Sequence, residues 1–319
     1  MVKIFGRRMI GTRPPSVMPM RRLALALSAL LAAGPALAQA TFEETNAEIA
    51  KARAELPAGA AKLVFGGLRD PAPLAARSIG AYSRGCLAGA VALPVNGRAW
   101  QVMRLSRNRN WGHPDLVAFL ERFAERGKKV GWPGLLVGDM SQPRGGPMIT
   151  GHASHQIGLD ADIWFLPMPE RELSRTERET ISAVSMVKMA SREIDPEQWT
   201  PTRMALVRAA ASDPAVARIF VHPAIKKTMC DAATGDRGWL AKVRPWYGHN
   251  YHFHVRLTCP AGAADCKDQD TVPSGDGCGA DLAWWLGPEP WKPSPPEKPR
   301  PPLTLADLPA ACSQVAVAQ

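Results

Sequence analysis

Five of the seven histidines fall in two short segments. One runs Gly151-His152-Ala153-Ser154-His155-Gln156-Ile157-Gly158-Leu159-Asp160-Ala161-Asp162, the other His249-Asn250-Tyr251-His252-Phe253-His254-Val255-Arg256. If the second is an extended strand, its side chains alternate between two faces. Tyr251, Phe253, Val255 and Leu257 then form one apolar face, and His252, His254 and Arg256 point the other way. Same-face neighbours lie about 6.5–7 Å apart at the backbone, so one imidazole can bind a metal ion while the other reaches a water beside it. Core packing accounts for the apolar face and leaves the two imidazoles unexplained.

The first segment supplies a compatible half-site. His155 sits in a loop rich in Ser and Gly, and Asp162 follows on the next strand, with Asp160 on the same face. A carboxylate buried among Leu159, Ala161, Ile163 and Phe165 is costly unless a cation or strong hydrogen bonds meet it. An ion-paired or capping aspartate is the plain alternative. Two histidines and one carboxylate, with water in the remaining position, are the ligands of a catalytic zinc site.

The elements that must position these groups are legible in outline. Phe42 to Glu55 reads as a short helix, and Pro114 to Arg126 as a longer one through Leu116, Phe119, Leu120 and Phe123. Ala90 to Val95 and Arg98 to Leu105 read as a hairpin turning at Asn96-Gly97. Gly134 to Val137, Leu159 to Phe165, Ile219 to Val221 and Tyr251 to Leu257 read as strands, with helices over Thr202 to Ala211 and Ala224 to Cys230. Strands and helices mix without a regular beta-alpha alternation. The expectation is an α+β fold: a small antiparallel sheet carrying the zinc site, flanked by helices and long loops. His113, just before Pro114, reads as a helix cap, and His222 has no assignment.

The formal charge of +10 belongs mostly to the N-terminus. Residues 1–38 hold Lys3, Arg7, Arg8, Arg13, Arg21 and Arg22 and no acid, which leaves 33 basic against 29 acidic residues in the rest. That balance gives nucleic-acid binding little support. Arg21-Arg22, the apolar run Leu23 to Ala33 and the small residues ending at Ala38 read as a secretory signal cleaved after Ala38 or Ala40. The run is too short to cross a bilayer, which needs ~20 residues, and no later stretch is long and apolar enough to do so. In an exported chain Cys86, Cys230, Cys259, Cys266, Cys278 and Cys312 read as three disulfides, with pairing left open. The expected organisation is a signal peptide over 1–38, a domain over 39–286 that carries the zinc site and a tail over 287–319. Eight of the sixteen residues from Gly287 to Pro302 are proline, and Cys312 beyond them suggests that the tail is tied back.

Ser154-x-His155-x-x-Gly158-x-x-x-Asp162 followed by His252-x-His254 resembles the lysostaphin, D-Ala-D-Ala metallopeptidase and hedgehog group. Longer strings resemble its penicillin-insensitive murein endopeptidase family. They are Gly138-Asp139-x-Ser141-Gln142-Pro143-Arg144-Gly145-Gly146, Ile219-Phe220-Val221-x-Pro223-Ala224-Ile225-Lys226, Val243-Arg244-Pro245-Trp246, His252-x-His254-Val255-Arg256-Leu257-x-Cys259-Pro260 and Ser274-Gly275-Asp276-Gly277-Cys278-Gly279.

The resemblance implies that His155, Asp162 and His254 hold one zinc ion per chain, with His152 close by and able to help hold a second metal ion. It makes His252 the general acid/base, and has His249 orient water or stabilise the oxyanion. Family members complete a second metal site with an Asp and a His where Ala190 and Glu193 stand here, which argues against a second ion. The implied disulfides are Cys86–Cys312, Cys230–Cys278 and Cys259–Cys266. The implied substrate is peptidoglycan, cut between D-alanine and meso-diaminopimelate in the periplasm. Arg144 and Arg256 are candidates to hold substrate carboxylates. A homodimer is left open.

Two rival readings are weaker. Ser185-x-x-Lys188 matches the serine motif of penicillin-binding enzymes, but Ser106-Arg107-Asn108 precedes it and no Lys-Thr-Gly follows; Lys227-Thr228-Met229 is no substitute. A non-catalytic periplasmic zinc-binding module explains the ligands but not the extra imidazoles of His252 and His249.

Overall fold

The computed structural model describes residues 47–293 and 301–319. The signal peptide expected over 1–38, the start of the first helix and part of the Pro-rich segment lie outside the described residues. Within the rest, residues 47–55 are helical.

The architecture is α+β around one mixed sheet of seven strands. Its members are β1 (Asn96–Gly97), β2 (Trp100–Val102), β3 (Leu135–Val137), β4 (Asp160–Trp164), β5 (Val216–Val221), β6 (Val243–Pro245) and β7 (His252–Leu257), in the order β6-β5-β7-β4-β3-β2-β1. The sheet is larger than expected and not wholly antiparallel: the pairs β5–β7, β7–β4, β4–β3 and β1–β2 are antiparallel. Both β5–β6 and β2–β3 run parallel. The hairpin also shifts: Asn96-Gly97 is itself a strand paired with Trp100 and Gln101, so the chain turns at Arg98-Ala99. Val91–Ala92 pairs instead with Trp111–Gly112.

One face of the sheet is the apolar core. Ala161, Ile163, Phe253, Val255 and Leu257 alternate onto it and are buried. Helix α1 (Pro114–Lys129) presses Leu116, Phe119, Leu120 and Phe123 against that face, and Phe123 meets Phe253 edge-on at 6.2 Å. Fully burying such a side chain stabilises the fold by roughly 1.5–3 kcal/mol. His113 caps α1, its Nδ1 accepting from the Asp115 amide. Helix α2 (Pro201–Ala211) extends the same layer with Leu206 and Val207. Helix α3 (Pro223–Ala232) is capped by His222, whose Nδ1 accepts from the Ala224 amide.

The opposite face of β4 and β7 is polar and also buried, because the segment from Asp139 to Gly158 folds over it. The segment is pinned by Ser141, whose hydroxyl donates to the His155 carbonyl at 2.6 Å, and by Gln156, which accepts from the Gly85 amide. Gly146 must lack a side chain there, since a Cβ would lie 2.2 Å from the Phe65 ring.

The three disulfides are Cys86–Cys312, Cys230–Cys278 and Cys259–Cys266. The first, spanning 226 residues, anchors α4 (Ala311–Val317) to a small second core with Phe65, Ile79, Leu308 and Val315.

Candidate active site

Strand register builds the centre of the site. On antiparallel β4 and β7, Asp162 stands directly opposite His254, and Asp160 opposite Arg256. Opposed side chains on one face approach closely, with Cβ atoms about 4.5–5.5 Å apart. His254 Nδ1 accordingly lies 3.1 Å from Asp162 Oδ1. His252, the next residue on that face, puts Nε2 3.6 Å from the same oxygen.

The covering segment adds two imidazoles. The His155 amide donates to Asp160 Oδ2 at 2.9 Å, which holds the loop against the sheet. His155 itself is left-handed, at φ 66°, a conformation that costs free energy and turns its ring inward. Its Nε2 lies 3.5 Å from Asp162 Oδ1. His152 Nε2 is 3.4 Å from Asp162 Oδ2 and 3.1 Å from Asp139 Oδ2. Among the described residues, His152, His155 and Asp162 form a group whose ligand atoms lie within 4.8 Å of one another.

The hydrogen-bond accounting of this cluster does not close with protein atoms alone. His155 Nδ1 and Nε2, Asp162 Oδ1, His252 Nδ1 and His254 Nε2 are all buried without a partner. His254 Nε2 is 3.0 Å from Asp160 Oδ1 but lacks the geometry of a hydrogen bond. Leaving one such atom unpaired costs about 1–3 kcal/mol, so His155 Nε2 and Asp162 Oδ1, 3.5 Å apart and both without a hydrogen bond, call for a shared partner. A cation accepting lone pairs from imidazole and carboxylate fits this donor set. His152 differs, because its Nε2 is already engaged with Asp139.

Ionisation follows the same geometry. Burial pushes His252 down to about 4, and His249 down to about 3 with help from His252 and His254, so both rings are neutral at pH 7. For Asp162 burial opposes the charge, but the surrounding His252, His152 and His155 outweigh it and hold the carboxyl well below its ordinary range. Burial also opposes charge on His254, yet Asp160 and Asp162 pull its pKa up.

His249 lies in a turn at φ 52°, its ring 4.9 Å from that of His252. Its Nδ1 is 2.6 Å from the Tyr247 carbonyl, so Nδ1 carries the proton and Nε2 offers a lone pair. A neutral ring of that tautomer can accept from a water but cannot donate to an oxyanion.

Three expectations need correction. Arg144 does not face the cluster: its guanidinium donates to the carbonyls of Asp70, Val315 and Ala316, capping the C-terminal end of α4. Arg256 is buried and committed, with Nε and Nη2 on the two oxygens of Asp160 at 2.8 and 3.1 Å and Nη1 on Gln269. It also stacks over Tyr82 at 4.1 Å, so a substrate carboxylate would have to displace Asp160 to reach it. Tyr251 does not join the core. It precedes β7, is 41% exposed and lines the recess beside His252.

Asp139, to which the sequence pattern assigns no role, is buried and accepts from Arg109 at 2.8 Å, Arg107 at 3.0 Å and His152. Burial raises its pKa, but His152 and the two guanidiniums hold it far below the carboxylate range. A carboxylate just after the apolar run Leu135 to Val137 was the available signal. Glu193 lines a separate cleft with His222 and Trp291. Ser185 closes a local turn, its hydroxyl donating to the Val187 carbonyl and accepting from the Val187 amide and Asn250.

Residues 78–317 match the model of a family described as penicillin-insensitive murein endopeptidase. The chain belongs to that family. Relatives carrying the same description include a Haemophilus influenzae protein, 47% identical over 240 residues, covering 75% of this chain and 82% of the relative. A Citrobacter koseri protein is 41% identical over 285 residues, covering 89% and 95%. One from Salmonella heidelberg is 45% identical over 237 residues, covering 74% and 86%. The family match takes in both histidine segments, the polar face of β4 and β7 and the helix held by Cys312. Among the described residues, no helix of this family member is long and apolar enough to cross a membrane.

Proposed function

We propose that the chain is a zinc-dependent murein endopeptidase that hydrolyses the D-alanyl–meso-diaminopimelyl cross-bridge of peptidoglycan. The observation that carries this reading is that ring nitrogens of His254, His155 and His252 lie 3.1, 3.5 and 3.6 Å from Asp162 Oδ1, a buried oxygen with no hydrogen-bond partner, in a member of this family. His155, Asp162 and His254 hold the ion, with His152 beside it, oriented by Asp139. When bound, the ion polarises the scissile carbonyl and lowers the pKa of a water from ~15.7 toward ~7.

The chain's own residues do the rest. His252, neutral at pH 7, takes a proton from the attacking water and delivers it to the leaving amine. The C–N bond breaks, the water oxygen stays on the alanyl carbonyl, and the proton goes to the diaminopimelyl nitrogen. His249 accepts a hydrogen bond through Nε2 and orients that water. The Asp160–Arg256 pair holds the His155 loop in place, a positioning role. The basic leader and its apolar run support export, and a wall substrate supports the periplasm.

Digestion of purified cross-linked sacculi tests this directly. The expected result is release of uncross-linked stems, loss of activity with a chelator, recovery on adding zinc, and indifference to a beta-lactam. Inhibition by a beta-lactam with indifference to a chelator would point to the serine reading instead.

A further inference from the structure

A recess of about 230 Å3 opens beside His252 and His152, between Arg104, Arg107, Trp164 and Tyr251. Its arginines differ in what they have left to give. Arg104 stacks over Trp164 at 5.2 Å and donates to the carbonyls of Arg178, Glu179 and Ile181. Arg109, behind the recess, is spent on Asp139 and the Thr150 carbonyl. Arg107 donates one N–H to Asp139 at 3.0 Å, and among the described residues its other guanidinium N–H groups meet no protein acceptor. Its side chain is 27% exposed.

The recess lining brings the guanidiniums of Arg104 and Arg107 beside the carboxylates of Asp139 and Asp162. Arg107 is also near the reaction: Asp139 joins it to His152 through contacts of 3.0 and 3.1 Å.

We propose that this recess is a carboxylate subsite, with Arg107 as its anchor. This inference rests on the reading of the reaction given above. In that cross-bridge the carbon bearing the scissile nitrogen also bears a free carboxylate. A guanidinium with a free edge is suited to such a group, because it offers paired N–H donors in a fixed fork. With the carboxylate on Arg107, the leaving amine lies beside His252, the residue that must protonate it. The alanyl side then extends into the cleft of about 430 Å3 lined by Phe220, Trp246, Tyr247 and His249. The recess thereby fixes the direction of the peptide and selects an amine component that carries an acid. It also replaces Arg144 and Arg256 as the place where a substrate carboxylate is read.

The test uses two purified cross-linked muropeptide dimers, identical except that the carboxylate beside the scissile nitrogen is free in one and amidated in the other. A charge-assisted hydrogen bond contributes enough for the zinc-loaded wild-type protein to favour the free acid by roughly 10–100-fold in kcat/KM. Arg107→Gln lowers kcat/KM on the free acid by a similar factor and erases the difference between the dimers, while bound zinc stays at the wild-type value. Arg107→Lys restores part of the preference. Equal wild-type rates on the two dimers, or an Arg107→Gln variant that keeps the full preference, would overturn the subsite while leaving the reaction intact. Cleavage of neither dimer by the zinc-loaded wild type would overturn the reaction itself, and the subsite with it.

Discussion

Asp160 and Asp162 stand two residues apart on one face of β4, both buried, and their surroundings are opposite in kind. Asp160 is satisfied: Arg256 grips both its oxygens and the His155 amide donates to one of them. Asp162 is ringed by imidazoles, and its Oδ1 has no hydrogen-bond partner. The difference separates an aspartate committed to the fold from one whose Oδ1 could hold the proposed ion. Burial alone does not distinguish them, and neither does a depressed pKa, since both carboxyls are held low. The accounting of partners does.

Exchanging each aspartate for its amide should pull the two apart. Asp162→Asn removes a charge needed by the ion, so bound zinc and turnover should collapse together, the latter by ~10³-fold or more given the several kcal/mol a catalytic metal supplies. Its chelator-treated form should melt within a few degrees of chelated wild type, because no hydrogen bond to protein is lost at Oδ1. Unchanged zinc in Asp162→Asn would break the comparison. Asp160→Asn should act on the fold instead. Breaking a buried ion pair from one side costs about 3–5 kcal/mol, readable as a lower denaturant midpoint in both the metal-free and the loaded protein. A variant of Asp160 as stable as wild type would show that Arg256 is not held by it.

The distinction extends to the histidines through His222, which does structural work at the start of α3. Burial lowers its pKa to about 4. Its unfolded value is near 6.5, so on acidification the unfolded chain takes up this proton first. The stabilisation is fully present above pH 6.5 and is lost as pH falls toward 4, amounting to roughly 3 kcal/mol. His222→Asn keeps an N-cap acceptor but cannot titrate. The stability difference between wild type and variant should therefore shrink or reverse across that window. A pH-independent difference would contradict the assignment.

Much of this was legible in the residues. Alternation along His252 to Leu257 placed the imidazoles and the core side chains on opposite faces, and the six cysteines pair as the family resemblance implied. What escaped were features set by partners distant in sequence. The role of Arg256 depends on Asp160, 96 residues away, and that of Arg144 on a carbonyl 171 residues away. A cation's type predicts that it will find an acceptor, but not which one. Asn96-Gly97 misled because its turn preference yielded to strand pairing with β2, and Tyr251 because alternation does not say where a strand begins.

The central claim is that His254 holds the ion and His252 moves the proton, although both point from one strand face toward Asp162. Zinc per chain, measured alongside turnover on sacculi, tests it in His252→Ala, His254→Ala and His152→Ala. The account predicts that His252→Ala keeps about one zinc yet loses roughly 10²–10⁴-fold in turnover. His254→Ala should lose both the ion and the activity, and His152→Ala should retain zinc because its Nε2 is engaged with Asp139. Zinc retained in His254→Ala but lost in His252→Ala or His152→Ala would contradict it.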